Sequence, residues 1–350
     1  MKTQIRKALI LFVAATMLLA TLAGCSPSAA PEAPEAPADA PSQEPAAEPV
    51  RVALLLSGPI TDQGWNASAY NGLMQIESDW DAEVAYSESV SQSDMEEVFR
   101  GYAESGFDVI FGHGFEFQDA ALKVAEQYPE TIFMLTSNTY FADPNVGSVS
   151  DDGVMKGFLG GIVAAVISES GTVGFIGGME IPPIRKGMSG FEAGAKYANP
   201  DISVLTSFVG NFEDAGAAKE IALAMIDQGA DVVMAQADSA SLGAIEAVVE
   251  RDIYGIGING DQNSLAPDNI VTSAVANFPK AMSIMVGRIV DGSWVPSSNV
   301  MGLKEGVVDL APYHGLESKL TGEQKERIEQ LKQEILDGKA DSALAAAEPQ

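Results

Sequence analysis

Sulfur chemistry is nearly absent from this chain, which has one cysteine, Cys25, among 350 residues. A lone cysteine makes no internal disulfide, no thiolate metal site and no redox pair. Histidine is almost as scarce: His113 and His314 are the only two and lie far apart in sequence. No cluster with metal-ligand or nucleophile–base spacing can be read from them. Basic residues number 20 against 49 acidic ones, a formal net charge of −29. Such a surface repels nucleic acid and anionic lipid and favours solubility, without identifying a ligand. The carboxylates read as a solvated acidic surface rather than acid–base pairs. Asp151-Asp152 alone is a weak signal for a bound cation.

A long apolar run is missing too. The stretch Ala8–Ala20, preceded by Lys2, Arg6 and Lys7, is short for a membrane span and leads into a Pro/Ala-rich tract. That layout reads as a secretory signal peptide over residues 1–24, to be excluded from the fold. Cys25 closes Leu22-Ala23-Gly24-Cys25, which looks like a bacterial lipobox, whose cysteine is diacylated; the plainer alternative is an incidental residue at a cleavage site. Residues 25–49 hold seven of the 18 prolines, with Ala, Glu and Ser making up most of the rest. This composition cannot bury apolar surface and predicts an extended acidic spacer.

From about Val50 the composition is globular, and its length suggests two domains. Short β-rich runs alternate with helical patterns. Val52–Leu56, Asp108–Phe111 and Thr131–Leu135 read as strands, with helices at Ala67–Ser78 and Asp119–Gln127. The order repeats with strands at Thr172–Ile176, Ser203–Phe208, Asp231–Met234 and Tyr254–Ile258. Helices fall around Arg185–Ala198, Ala217–Gln228 and Leu242–Glu250. Continuous apolar strands separated by helices mean parallel sheets covered on both faces. Two such series, joined near Gly157–Ser170, predict an α/β protein of two doubly wound parallel-sheet lobes. The expected division is 50–160 plus 271–296 for the first lobe and 161–270 plus 297–340 for the second. Thr321-Gly-Glu-Gln324 is a capping pattern opening a terminal helix to Lys339, with an apolar stripe of Ile328, Leu331, Ile335 and Leu336. That helix either packs on a lobe or meets a partner.

Several segments in their order and spacing resemble the basic membrane protein family of lipoproteins. They are Gly58–Asn66, Gly177–Pro182, Gly190–Gly194, Asn199–Asp201, Asp227–Asp231, Gly257–Gln262 and Leu265–Pro267. The resemblance runs from about Arg51 to Leu316. It implies a type I periplasmic binding protein fold, with two lobes joined by a hinge of crossing strands near Ser148–Val149, Val271–Ser273 and Val295–Val300. It also implies capture of a purine-type ligand between the lobes for an ABC importer, with permease subunits as partners and the membrane reached through lipid. No cofactor, no metal and a monomer are expected.

Asp62 and Asn66 offer hydrogen bonds and Trp65 a flat face, as a purine needs both; an Asx turn and a core role are the alternatives. The glycine-rich loop Gly112–Phe117 brings His113 and Phe115, with Phe117 as another stacking candidate, and Asn138 and Asp152 follow in later loops. In the second lobe, Phe212 of Gly210–Asp214 resembles the family's stacking aromatic. Asp238, Ser239, Asn259, Asp261 and Asn277 bring polar groups to the same rim. The nucleoside-binding branch resembles Gly-Val-Asp-Ser-Asp-Gln where this chain has Asn259, and it carries a lysine where Ala276 stands. Both serve ribose there, so the departures favour a free nucleobase over a nucleoside. A surface nucleoside hydrolase, needing clustered aspartates, and a sensor or adhesin reusing the fold are the competing classes.

Overall fold

The computed structural model describes residues 48–61 and 65–349; the expected leader, most of the spacer, Cys25 and Asp62 lie outside the described residues. The first half of the chain gives β1 (Arg51–Leu56), α1 (Trp65–Trp80), β2 (Glu83–Ser87), α2 (Met95–Glu104), β3 (Val109–His113), α3 (Gln118–Ala125), β4 (Ile132–Thr136) and β5 (Val146–Asp151). Next come α4 (Gly153–Ile167), β6 (Thr172–Gly177), α5 (Pro182–Ala198), β7 (Ser203–Phe208), α6 (Ala215–Asp227), β8 (Val232–Gln236), α7 (Ser241–Glu250), β9 (Tyr254–Asn259) and β10 (Ile270–Ala276). The chain ends with α8 (Phe278–Val290), β11 (Ser298–Met301), β12 (Val308–Leu310), α9 (Gly322–Leu336) and α10 (Asp341–Ala347).

These strands form two six-stranded sheets of like topology, β2-β1-β3-β4-β5-β11 and β7-β6-β8-β9-β10-β12. Every pairing is parallel except that of β12 with β10. The apolar run Val52–Leu56 is wholly buried because helices cover both faces of its sheet. β2 and α2 escaped the sequence reading because β2 is a half-exposed edge strand whose pattern is mixed. In each sheet the strand order reverses between the first and third strands of its series, β1 and β3 in one and β6 and β8 in the other. Such switch points are where open α/β sheets bind ligands, beyond the strand carboxyl ends.

The expected division of the chain is corrected in three places. β10 lies in the second sheet and β11 in the first, so 271–276 and 298–301 exchange sheets relative to the reading. The whole of α4, including 153–160, packs on α5 of the second sheet's layer. The reason is a pair of small-residue faces. A Cβ on Gly157 or Gly161 would sit 2.0 or 2.1 Å from the carbonyl oxygen of Gly187 or Phe191. One on Gly190 or Gly194 would sit 2.1 or 2.0 Å from that of Val154 or Phe158. Only glycine allows the two backbones to approach so closely.

The chain crosses between sheets after β5, after β10 and between β11 and β12. The crossings are tied together: Asp152 N donates to Met301 O at 2.9 Å and Asn277 N to Val307 O at 2.6 Å. α8 returns to the first sheet, where Trp80 Nε1 donates to Ser283 and Met282 lies against Gly72. The predicted capping box is present: Thr321 Oγ1 accepts from Gln324 N, and Gln324 Oε1 accepts from Thr321 N. Ile328, Leu331 and Ile335 are buried; Leu331 and Ile335 meet Phe158, Leu159 and Ile162 of α4, while Leu336 is largely exposed.

Candidate functional site

The first switch point carries an aromatic stack. Trp65, at the start of α1, is 43% exposed, and its ring lies on that of His113, centroids 4.0 Å apart and planes inclined by 26°. His113 ends β3 and is completely buried. Its Nε2 lies 3.1 Å from Trp65 O, an acceptor only, so Nε2 carries a hydrogen. Nδ1 is hydrogen-bonded to the Thr136 hydroxyl at 2.8 Å, and that hydroxyl accepts from Gly114 N at 3.0 Å. Phe278 closes the cluster edge-on against His113 and tilted against Trp65. His113 thus supports Trp65 instead of standing on the open surface. Asn66 is buried, with Oδ1 accepting from Gly58 N at 3.2 Å. Phe115, in a 3-10 turn after β3, is 75% exposed, whereas Phe117 is a core residue packed on Phe99 and so not available to stack on a ligand.

The second switch point carries the matching ring. Phe212, partly buried in the loop after β7, lies over Gly178, where a Cβ would come within 2.3 Å of its Cδ1 and 3.2 Å of Ala237 Cα. Asp238 and Ser239 follow β8 and are exposed. Asp238 adopts φ +46 and Asn259, at the end of β9, φ +67. Left-handed backbone is uncommon in non-glycine residues, is best tolerated by Asp and Asn, and clusters at functional loops. Surrounding protein desolvates the Asp238 carboxyl and raises its pKa above the ordinary value, although the residue keeps a solvent-facing surface.

Four other expected residues serve local structure. Asp152 caps α4, Oδ1 accepting from Met155 N at 2.9 Å; burial raises its pKa and that hydrogen bond opposes the rise. Asn277 caps α8 by accepting from Lys280 N. Asn138 donates to Gln118 Oε1 and accepts from Tyr140 N, closing an Asx turn. Asp261 binds His314 Nε2 with one oxygen and Asn263 N with the other. Asp151 and Asp152 do not act as a pair, because Asp151 is engaged by Lys156. Among the described residues no group of three His, Cys, Asp or Glu side chains could hold a metal ion, and no helix is long and apolar enough to cross a membrane.

Lys156 is not among the residues that the sequence pattern singles out. Its Nζ donates to Asp151 Oδ2 at 2.6 Å and to Asn259 Oδ1 at 2.7 Å. The available signal was a lone charge within the apolar helix GVMKGFLGGIVAAVI.

The chain has counterparts among known proteins. The family model for PnrA-like ABC transporter substrate-binding proteins, named Bmp, matches residues 49–340. The chain belongs to this family. It is 33% identical over 265 residues to basic membrane protein A of Borreliella burgdorferi, covering 74% of this chain and 78% of that one. A purine-binding protein of Brucella abortus is 29% identical over 286 residues, covering 80% and 81%. Among solved structures, an ABC transporter solute-binding protein of Conexibacter woesei aligns with TM-score 0.70 at 26% identity, covering 83% of this chain and 97% of that one. A transcriptional activator of the comK gene from Bacillus halodurans aligns with TM-score 0.72 at 29% identity, covering 81% and 96%. The two-lobed fold is therefore that of type I periplasmic binding proteins, and the chain is a substrate-binding protein of the ABC transporter class.

Proposed function

We propose that this family member is a lipid-anchored extracytoplasmic protein that captures a purine base for import. The observation that carries the reading is one aromatic ring at each switch point, Trp65 on His113 and Phe212 on Gly178. Two flat faces on opposing lobes suit a planar heterocycle, which gains from stacking while its edge is satisfied by polar groups such as Asp238, Ser239 and Asn259. A purine-binding relative supports the ligand class. The base is favoured over the nucleoside because Asn259 and Ala276 stand where the nucleoside-binding branch resembles an aspartate and a lysine.

Binding proceeds by hinge closure about the crossings near Asp152, Asn277 and Gly302–Val307. A ligand shifts that equilibrium by binding the closed form better. The closed monomer then docks on permease subunits, with Cys25 lipidated as its membrane anchor. No chemical step is assigned to any residue.

Calorimetry and thermal shift with purine and pyrimidine bases, nucleosides, riboflavin and simple sugars test the ligand. Stabilisation by a free purine base but not its nucleoside is the expected result. Response to a sugar alone keeps the fold and rejects the ligand. Labelled palmitate entering the wild type but not Cys25→Ser tests the anchor. The activator name of one structural relative favours a second reading, ligand sensing on the same fold. Deletion that abolishes purine uptake supports import; deletion that spares uptake but alters transcription supports sensing.

A further inference from the structure

Lys156 is the only charged side chain in α4 and is 5% exposed. Its two acceptors come from different sheets: Asp151 ends β5 of the first and Asn259 ends β9 of the second. An ammonium group has donors only, so the atom of Asn259 facing it must be the amide oxygen. The orientation of this amide, ordinarily a matter of choice between oxygen and nitrogen, is therefore fixed by chemistry. Its Nδ2 turns away from Lys156, on a residue that is itself exposed at the strand end. The adjacent strand β8, paired in parallel with β9, is followed by a 3-10 turn that opens with the exposed Asp238. The ends of two neighbouring strands thus carry an amide donor and a carboxylate acceptor.

We propose that Lys156 orients the Asn259 amide so that Nδ2 faces the ligand as a hydrogen-bond donor, and that the site consequently selects an oxopurine base. The ring carbonyl accepts from Asn259 Nδ2, and the neighbouring ring N–H donates to Asp238. The ribose of a nucleoside meets neither the aspartate nor the lysine of the nucleoside-binding branch, because Asn259 and Ala276 stand there. An exocyclic amino group in place of the carbonyl sets donor against donor. Lys156 acts here through Asn259, as a positioning residue. The inference rests on the purine-base reading above and sharpens it.

The test is calorimetric affinity for hypoxanthine, adenine and inosine in the wild type and in Asn259→Asp, Lys156→Met and Lys156→Arg. The wild type should bind hypoxanthine about tenfold or more tightly than adenine or inosine, the scale of one mismatched buried hydrogen bond. Asn259→Asp keeps an oxygen for Lys156, so folding is preserved, but presents an acceptor to the ligand; the hypoxanthine-to-adenine ratio should fall at least tenfold. Lys156→Met frees the amide to turn, and the ratio should fall to within about threefold of unity, with Lys156→Arg restoring it. A purely structural role for Lys156 would lower all affinities together and leave the ratio unchanged. Equal wild-type affinity for hypoxanthine and adenine, or an unchanged ratio in Asn259→Asp, overturns the inference while leaving a purine site standing. If no purine binds the wild type, the broader reading fails first and this one with it. Should Lys156→Met not fold, Asn259→Asp alone decides.

Discussion

The imidazole of His113 lies wholly buried beneath the exposed indole of Trp65, ring centroids 4.0 Å apart, and hydrogen-bonds the carbonyl oxygen of the same tryptophan at 3.1 Å. One residue at the end of β3 thus holds both the ring and the backbone of the first residue of α1. Thr136 at the end of β4 extends the support through Nδ1.

Removing that support should cost both stability and binding. His113→Ala opens a cavity and removes one hydrogen bond each from the Thr136 hydroxyl and the Trp65 carbonyl, so chemical denaturation should show a loss of roughly 2–4 kcal/mol. Ligand affinity should drop although His113 has no exposed surface. Unchanged affinity in a folded variant would separate Trp65 from any dependence on His113.

Trp65→Ala and Phe212→Ala remove the two proposed plates. Each should weaken purine binding by about 1–3 kcal/mol, the range for aromatic stacking on a base. Phe115→Ala, on a more exposed ring, serves as a comparison in the same titration. A truncation of Phe212 that leaves affinity intact would move the ligand off the second switch point.

Close packing of α4 on α5 predicts a sharp contrast between glycines. Gly161→Ala drives a methyl to within 2.1 Å of the Phe191 carbonyl oxygen and should destabilise by about 1–3 kcal/mol or more. Gly260 has open space around its Cα, so Gly260→Ala should unfold within about 0.5 kcal/mol of the wild type. Urea midpoints of the two variants check this.

The raised pKa of Asp238 gives binding a pH dependence. If the ionised carboxylate accepts from the ligand, affinity is full above the raised pKa and falls as pH drops through it, at a higher pH than an ordinary aspartate would give. For stability the sign is opposite: a raised carboxyl favours the folded state below its unfolded value, and that contribution disappears as pH rises through the folded one. Asp238→Asn should flatten the acid limb of the affinity profile when calorimetry is repeated from acid to neutral pH.

Much of this architecture is legible in one dimension. Val52–Leu56 and Val232–Met234 are apolar without alternation because strands in a covered parallel sheet bury both faces. The capping box at Thr321 and Gln324 is local chemistry, and so it was readable before any contact was known. Strand-end loops follow from the same pattern and place Asp238 and Asn259 at the rim, whereas the stacking roles of Trp65 and Phe212 rest on the family resemblance. Edge strand β2 was not legible, since a half-exposed strand carries no clean period.

The amino-acid sequence by itself determined the alternation of strand and helix, the two-lobed class, the family, and the position of the loops that rim the sheets. Only the tertiary structure decided which candidates keep a free face. Asp152 and Asn277 became caps, Asp261 paired with His314, and His113 went beneath Trp65. It also decided that β10 and β11 exchange sheets and that Lys156 reaches Asn259, 103 positions away. The physical reason is that period and propensity act over a few residues, whereas the partner of a buried charge is chosen by which strand ends the crossovers bring together.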